Sequence, residues 1–414
     1  MKSDFGAFGS VAALIRGLCI DLTGKPHAVV FQEQGGEVPA AAMKLETVSF
    51  GNADSPESAE SAAGVIRNAH AAWKSSFPVA ADGRVPVPSC AAVALGGRSA
   101  LFWTGPDLDS ARRRLTEQDA SPWLETPAVT GKVINTAERA AVVKNRIALV
   151  TGGAQGIGEE ITRNLAAAGA LVFIADLNRE GAQKLADHIN AAEKRTAALA
   201  LEVNVSDDAS VAAMYNAVAE TAGGLDLCVS NAGVLKAGSV LEQELSDFQL
   251  VTNINYTGFF LVSKYAGRLL RAQHYTAPRW KTDIIQVNSK SGLEGSNKNG
   301  AYAGGKFGGL GLVASFALEL VEYGIKVNAV CPGNFLDGPL WSHPEKGLFV
   351  QYLNTGKVPG AKTVADVRAF YESKVPMKRG CTGLDLVRAI YYIVEQEYET
   401  GQAVPVTGGQ VMLH

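Results

Sequence analysis

Between residues 146 and 331 the chain alternates short apolar runs with longer segments whose apolar positions recur at helical spacing. Arg146-Ile-Ala-Leu-Val-Thr151 reads as a buried strand, followed by a glycine-rich turn and a helix to about Ala168. Ala170–Asp176, Ala198–Val205, Leu225–Asn231, Asp283–Asn288 and Ile325–Cys331 read as further strands. Helices are expected over Glu180–Ala192, Ser206–Ala222, Ser246–Ala272 and Ala301–Tyr323. Strands this continuously apolar belong to a parallel sheet covered on both faces. The rhythm predicts an α/β fold with a doubly wound parallel sheet, whose ligands lie beyond the carboxyl ends of the strands.

Residues 1–143 carry a different pattern. His27–Phe31, Ala91–Leu95 and Ala100–Trp103 look like strands. A helix is expected from Ser55 to about Trp73, with Pro56 at its first position and Glu57 and Glu60 in its early turns, and another over Asp107–Glu117. The segment Asp119–Pro127 holds two prolines, which disfavour regular structure. The expected division is a smaller N-terminal α/β domain over 1–125, a linker over 126–143 and a nucleotide-binding domain over 144–414. No residue pattern says what the N-terminal part does.

A length of 414 residues supports that two-domain expectation. With 47% apolar residues, 19% charged residues and a formal net charge of −3, the chain reads as a soluble globular protein. There is no basic excess to favour nucleic acid or an anionic membrane, so neither is an expected partner. No stretch approaches the roughly 18 uninterrupted apolar residues of a membrane span. Met1–Thr23 scatters Asp4, Arg16 and Asp21 among short apolar pieces, a poor export signal. The five cysteines show no CxxC and are expected to be reduced thiols of a cytoplasmic protein. The six histidines lack metal-ligand spacing, so no metal is expected.

Two motifs carry the chemistry. In Thr151-Gly-Gly-Ala-Gln-Gly-Ile-Gly158, placed between a strand and a helix, Gly152 allows a tight turn. Gly156 lets the backbone approach a pyrophosphate, and Gly158 lets the helix pack closely. The helix start, with Gln155 and Ile157, then presents free N–H groups and a partial positive charge to phosphates. Asp176 ends the second strand, eighteen positions after Gly158, where a carboxylate accepts bonds from ribose hydroxyls and repels a 2′-phosphate. That favours NAD over NADP, although Arg179 nearby could pair with such a phosphate.

The second motif, Tyr302-Ala-Gly-Gly-Lys306, sets a phenol and an ammonium one helical turn apart on one face. Hydride transfer at a carbinol carbon requires a proton to move at its oxygen, and Tyr302 is the candidate acid/base. Lys306 and an oxidised nicotinamide favour its phenolate. Ser289, thirteen residues earlier at a strand end, can hold the substrate oxygen; Ser291 is the alternative. Asn255 lies in the helix beside these strands, either as part of the site or as a buried amide bonding backbone.

From about Lys144 onward the chain resembles the short-chain dehydrogenase/reductase family, a Rossmann-type fold. The resemblance rests on Thr151–Gly158, Asp176, Asn231-Ala-Gly233, Asn255, Ser289, Tyr302, Lys306 and Pro332-Gly333. It implies that Asn255 orders a proton-relay water and that Lys306 also holds the nicotinamide ribose. Asn231, Ala232 and Gly233 would line the cleft, and Pro332 and Gly333 would be among the cofactor-binding residues. Asn204-Val205 stands where the family usually has Asp-Val before the adenine pocket. Gly304-Gly305 inside the catalytic helix is a second departure, each glycine costing about 1 kcal/mol against alanine. The resemblance also implies a homo-oligomer, a tetramer or dimer.

Further runs, several of them outside the family signature, are similar to those of members that oxidise a hexitol 6-phosphate at C2 with NAD. These are Val287–Gly292, Tyr302–Gly309, Glu322–Ile325, Lys374–Cys381 and Thr407–Met412. Lys290, Lys298, Lys378 and Arg379 are the candidates for holding the substrate phosphate. The expected function is interconversion of a sugar alcohol phosphate and its ketose phosphate. The alternatives are another polyol, or a catalytically silent NAD sensor or scaffold. Phe335–Lys374, rich in Gly, Pro and aromatic residues, is expected to form a lid. Arg84–Trp103 resembles the strand pattern of class II sugar aldolases without their metal-binding histidines.

Overall fold

The computed structural model describes residues 7–33, 38–39, 41–45, 56–77, 84–95, 98–125, 136–345, 347–354, 356 and 358–413. Its first helix, α1 (Ala7–Thr23), was not foreseen, because its apolar residues surround it rather than forming one stripe. Val11, Ala12, Ala13, Leu14, Ile15 and Leu18 are all buried, the behaviour of a helix packed on several sides. It is followed by β1 (Ala28–Glu33), β2 (Met43–Leu45), α2 (Pro56–Lys74), β3 (Val85–Val87), β4 (Cys90–Leu95), β5 (Arg98–Gly105), α3 (Leu108–Glu117) and β6 (Trp123–Glu125). The sheet order is β1-β5-β4-β2, with β5 antiparallel to both neighbours, and β3 pairs with β6 as a separate ribbon. Ser55 and residues 126–135 of the expected linker lie outside the described residues.

The larger sheet is built from β7 (Ile147–Thr151), α4 (Gly156–Ala167), β8 (Leu171–Asp176), α5 (Arg179–Glu193), β9 (Ala198–Glu202), α6 (Asp208–Ala222) and β10 (Leu227–Ser230). It continues through α7 (Leu245–Thr252), α8 (Gly258–His274), β11 (Thr282–Val287), α9 (Gly300–Leu320) and β12 (Ile325–Pro332). The chain ends with α10 (Pro339–Ser342), α11 (Leu348–Asn354), α12 (Val364–Ser373), α13 (Gly383–Glu395) and β13 (Ala403–Val406). The seven strands lie in the order β13-β12-β11-β10-β7-β8-β9, all parallel. Every residue of β7, β8, β10, β11 and β12 is buried; β7, β8 and β10 are almost unbroken apolar runs, while β11 and β12 also bury polar residues such as Asp283 and Lys326. Strand order reverses between β7 and β10, the switch point at which such sheets take ligands.

Three details depart from expectation. The helix expected over Ser246–Ala272 contains a π-helical turn at Asn253–Thr257 between α7 and α8. α6 is opened by Asp207, whose side chain accepts from the Ser210 N–H, rather than by Ser206. Gly300–Tyr323 is long and apolar enough to cross a membrane by length and composition, although it holds no uninterrupted apolar run of that length. Glycines, Ser315 and Glu319 interrupt the run. One face of α9 packs on β12, and Phe307, Leu318 and Val321 face outward, at least 47% exposed. The five cysteines are buried and free.

The N-terminal elements and the large sheet share one continuous buried cluster, running from Ala13, Val30 and Trp103 to Tyr215, Leu269 and Ile284. The contacts that join them fall at the amino ends of the large sheet's strands. Thr276 donates to the Leu14 carbonyl, Arg67 to the Tyr275 carbonyl, and the Thr196 N–H to Asp109. A Cβ on Gly223, at the end of α6, would stand 2.5 Å from Val29. Ser289 and Tyr302 lie at the opposite, carboxyl ends.

Candidate active site

The glycine turn is shaped by steric exclusion. Gly152 and Gly156 have φ of +60° and +58°, where a side chain is strained. A Cβ on Gly158 would stand 2.0 Å from the Gly152 carbonyl oxygen and 2.6 Å from Asn231 Nδ2. Gly158 therefore closes the turn upon itself, a tighter demand than the helix–sheet contact expected of it. Asn231 Nδ2 donates to the carbonyls of Thr151 and Gly152, each at 3.0 Å. The Thr151 hydroxyl accepts from the N–H groups of Asn231 and Ala232 at 3.0 and 3.1 Å. Thr151 is thus more than the boundary of its motif. Its sequence signal is a hydroxyl at the last position of a buried strand, the place where a neighbouring strand's loop needs an acceptor.

Asp176 ends β8 with one carboxylate oxygen accepting from the Ala154 N–H of the glycine turn, at 3.1 Å, and the other from Asn178, at 2.9 Å. Its carboxylate is thus fixed beside the turn. Arg179 opens α5 and is exposed. Asn204 is exposed, and its side-chain oxygen accepts from the N–H and hydroxyl of Ser206, while Val205 is buried. Pro332 closes β12, and the Gly333 N–H donates to Val406 on β13.

At the carboxyl ends of β11 and β12, α9 delivers Tyr302 and Lys306. The Lys306 ammonium is buried, donates to the Val287 carbonyl at 2.9 Å, and lies 5.6 Å from the centre of the Tyr302 ring. Burial lowers its pKa to about 8. Burial raises that of Tyr302, partly offset by a hydrogen bond with the Ser289 side chain. Ser289 is fixed in turn: its N–H donates to Asn288 Oδ1, its hydroxyl accepts from the Ser291 N–H, and Asn288 Nδ2 reaches the Lys306 carbonyl. Cys331, on the next strand, is buried and pushed up to about 12, lowered somewhat by Lys306.

Asn255 sits inside the π turn, buried, and exchanges two hydrogen bonds with the backbone of Val234 at 2.8 and 2.9 Å. The extra residue of a π turn is what swings this amide toward the loop after Gly233. The sequence could not show that, since a single π turn of five residues is too short to reveal its change of period. Gly305 faces it, its absent Cβ 3.6 Å from that of Asn255, and Gly308 makes room for the Tyr256 ring.

The four basic candidates do not share one environment. Lys290 directly follows Ser289, half-buried. Lys298 is exposed with φ +53°, its carbonyl accepting from Gly238. Lys378 donates to the Ser373 carbonyl. Arg379 forms a two-pronged pair with Asp385, at 2.6 and 2.9 Å, on the wall of a cavity of about 390 Å³ against β13. Over the glycine turn, α10, α11 and α12 enclose a small core of Leu336, Trp341, Phe349, Val358 and Val367. A Cβ on Gly156 would stand 3.5 Å from the Pro339 ring, so this layer covers the turn.

A parallel sheet with this turn and this tyrosine–lysine pair defines an oxidoreductase of the nicotinamide-dependent kind, and the chain belongs to the short-chain dehydrogenase/reductase family. The family model described as short chain dehydrogenase matches residues 146–343. The chain is 36% identical over 271 residues to sorbitol-6-phosphate 2-dehydrogenase of Escherichia coli (strain K12), covering 65% of this chain and 99% of that one. A crystal structure of sorbitol-6-phosphate 2-dehydrogenase from Erwinia amylovora is 40% identical, with a TM-score of 0.59, over 64% of this chain and all of that one. An actinorhodin polyketide ketoreductase variant solved with NADPH is 27% identical, with a TM-score of 0.55, over 64% and 97% of the two chains. The family uses NAD or NADP. The family model begins at residue 146, beyond the N-terminal sheet.

Proposed function

We propose that the protein is an NAD-dependent dehydrogenase that interconverts a sugar alcohol phosphate and its ketose phosphate, D-sorbitol 6-phosphate and D-fructose 6-phosphate being the pair argued for. The observation that carries the reading is the buried Lys306 ammonium beside the Tyr302 ring, with Ser289 bonded to that tyrosine, at the strand ends next to the glycine turn. The choice of substrate rests on the similarity to the two sorbitol-6-phosphate 2-dehydrogenases.

In this reading the glycine turn and the start of α4 hold the pyrophosphate, and the bound nicotinamide supplies or accepts the hydride. Ser289 holds the substrate oxygen, and Tyr302 moves the proton at that oxygen. Lys306 stabilises the phenolate by its charge and holds the nicotinamide ribose. Asn255 keeps the Val234 loop in place and orders a relay water. Asp176, fixed by two backbone N–H groups, accepts bonds from the adenosine ribose and disfavours a 2′-phosphate. Lys290 is the first candidate for the substrate phosphate because it adjoins Ser289. The exposed face of α9 and the turn after it, with Phe307, Leu318 and Val321, supports assembly with further copies of the chain.

A second reading, an unphosphorylated polyol, is favoured by one observation: the Arg379 guanidinium is already matched by Asp385. NADH formation at 340 nm separates the two, with sorbitol 6-phosphate against sorbitol and mannitol 6-phosphate against mannitol. Preference for sorbitol 6-phosphate is expected. Activity on free polyols alone would overturn the phosphate reading and leave the proton-transfer reading intact.

A further inference from the structure

Asp226 precedes β10 and is wholly buried, yet it is the meeting point of three parts of the chain. One carboxylate oxygen accepts from the N–H of Ile147, the first residue of β7, at 2.7 Å, and from Arg16 Nη2 of α1 at 2.6 Å. The other accepts from the Trp280 indole N–H at 2.9 Å, just before β11. Arg16 is equally buried. Its Nε donates to the His27 carbonyl at 2.6 Å, tying the same guanidinium to the start of the N-terminal sheet. Burial alone would raise the Asp226 carboxyl, but Arg16, Arg146 and the Ile147 N–H outweigh it and hold it below the usual range.

Close packing surrounds this pair. Gly17 has no room for a Cβ, which would stand 2.1 Å from the Thr276 hydroxyl. Gly224 has none because of Gln273 Oε1, at 2.0 Å. The Gln273 amide in turn bonds both the N–H and the carbonyl of Leu225. The N-terminal unit is therefore seated, not tethered, at the base of the sheet.

The two strands that Asp226 joins at their amino ends are those that the Thr151 hydroxyl joins at their carboxyl ends, through Asn231 and Ala232. Along β7 the lower clamp at Ile147 lies about 13 Å from the upper one at Thr151, four strand steps at about 3.3 Å each. We infer that Arg16 and Asp226 are positioning residues for the dinucleotide site: the N-terminal unit fixes the base of β7 and β10, and so the alignment of the glycine turn against Asn231–Gly233. A buried carboxylate stripped of its partner charge draws in water or a proton, and either disturbs the Ile147 bond it makes.

The inference rests on the dinucleotide reading, and its failure is distinguishable from the failure of that reading. NADH and NADPH binding by the full chain is measured by fluorescence titration, at a temperature where circular dichroism shows each variant folded. If the natural sequence binds neither, the dinucleotide reading fails and this inference with it. If it binds, Arg16→Met is expected to raise the NADH Kd at least about tenfold, while Arg16→Lys, which keeps the charge on Asp226, holds it within about threefold. A role in stability alone would lower the melting temperature of Arg16→Met and leave the Kd of its folded fraction unchanged. That result would overturn the inference. Should Arg16→Met fail to fold, Arg16→Gln removes the same charge from Asp226 with a polar side chain, and an unaltered Kd in that variant would overturn it equally.

Discussion

The Lys306 ammonium lies 5.6 Å from the centre of the Tyr302 ring and is held there by the Val287 carbonyl. Tyr302→Phe keeps the ring and removes the hydroxyl. Turnover should fall by about 10²- to 10⁴-fold, the usual worth of a positioned acid/base. NADH binding, followed by fluorescence, should change little. Because burial raises the Tyr302 hydroxyl, with Ser289 offsetting part of it, polyol oxidation by the natural protein should climb with pH above neutrality. Turnover retained in Tyr302→Phe would remove Tyr302 from the proton transfer.

Lys306 also makes a stability prediction for the coenzyme-free protein. Its folded pKa of about 8 is below the ordinary 10.5. Between those values the unfolded chain binds more protons, so stability rises with pH. The cost of burying the charge is fully present below about pH 8 and lifts as the pH approaches 10.5, by roughly 3 kcal/mol in all. Lys306→Met lacks this term. The stability difference between the two proteins, from urea unfolding at pH 7.5 and pH 10, should shift in favour of the natural sequence at the higher pH. An unchanged difference would mean that the ammonium is not desolvated.

Asp176 tests the cofactor preference. The natural protein is expected to bind NADH more tightly than NADPH, and Asp176→Ala should narrow that ratio at least about tenfold, or about 1.4 kcal/mol. The substitution also leaves the Ala154 and Asn178 N–H groups without their acceptor, so some loss of melting temperature accompanies it. A ratio that stays constant would assign the preference elsewhere.

Two glycine-to-alanine changes should have opposite signs. At Gly158 a methyl group collides with the Gly152 carbonyl, so NADH binding and melting temperature should both fall sharply. At Gly304 nothing lies within 4 Å, and helix propensity favours alanine by about 0.5–1 kcal/mol. Gly304→Ala should therefore raise the melting temperature by a few degrees. If it lowers it, the open side of that helical turn is filled in the assembled protein.

The large sheet was legible because its central strands are buried on both faces and so are written as mostly apolar runs, with helical periodicity between. Thr151–Gly158, Asp176 and Tyr302–Lys306 were legible because local backbone geometry fixes them: a turn that excludes side chains, a strand end, one helical turn. α1 was not legible. A helix packed on several sides has no stripe to betray it, and its partners beside the large sheet, Leu225 and Thr276, lie more than 200 residues away.

The sequence by itself determined the fold of residues from about 146 onward and the local motifs of its site, because these depend on periodicity and short spacing. Only the tertiary structure decided three things. It put Asn255 in a π turn against Val234, and it set Arg379 against Asp385. It also seated the N-terminal unit at the amino ends of the strands, through Arg16 and Asp226. The physical reason is common to all three. A hydrogen bond or ion pair acts over a few ångströms of space, and the order of residues does not record which groups, near or far along the chain, will meet there.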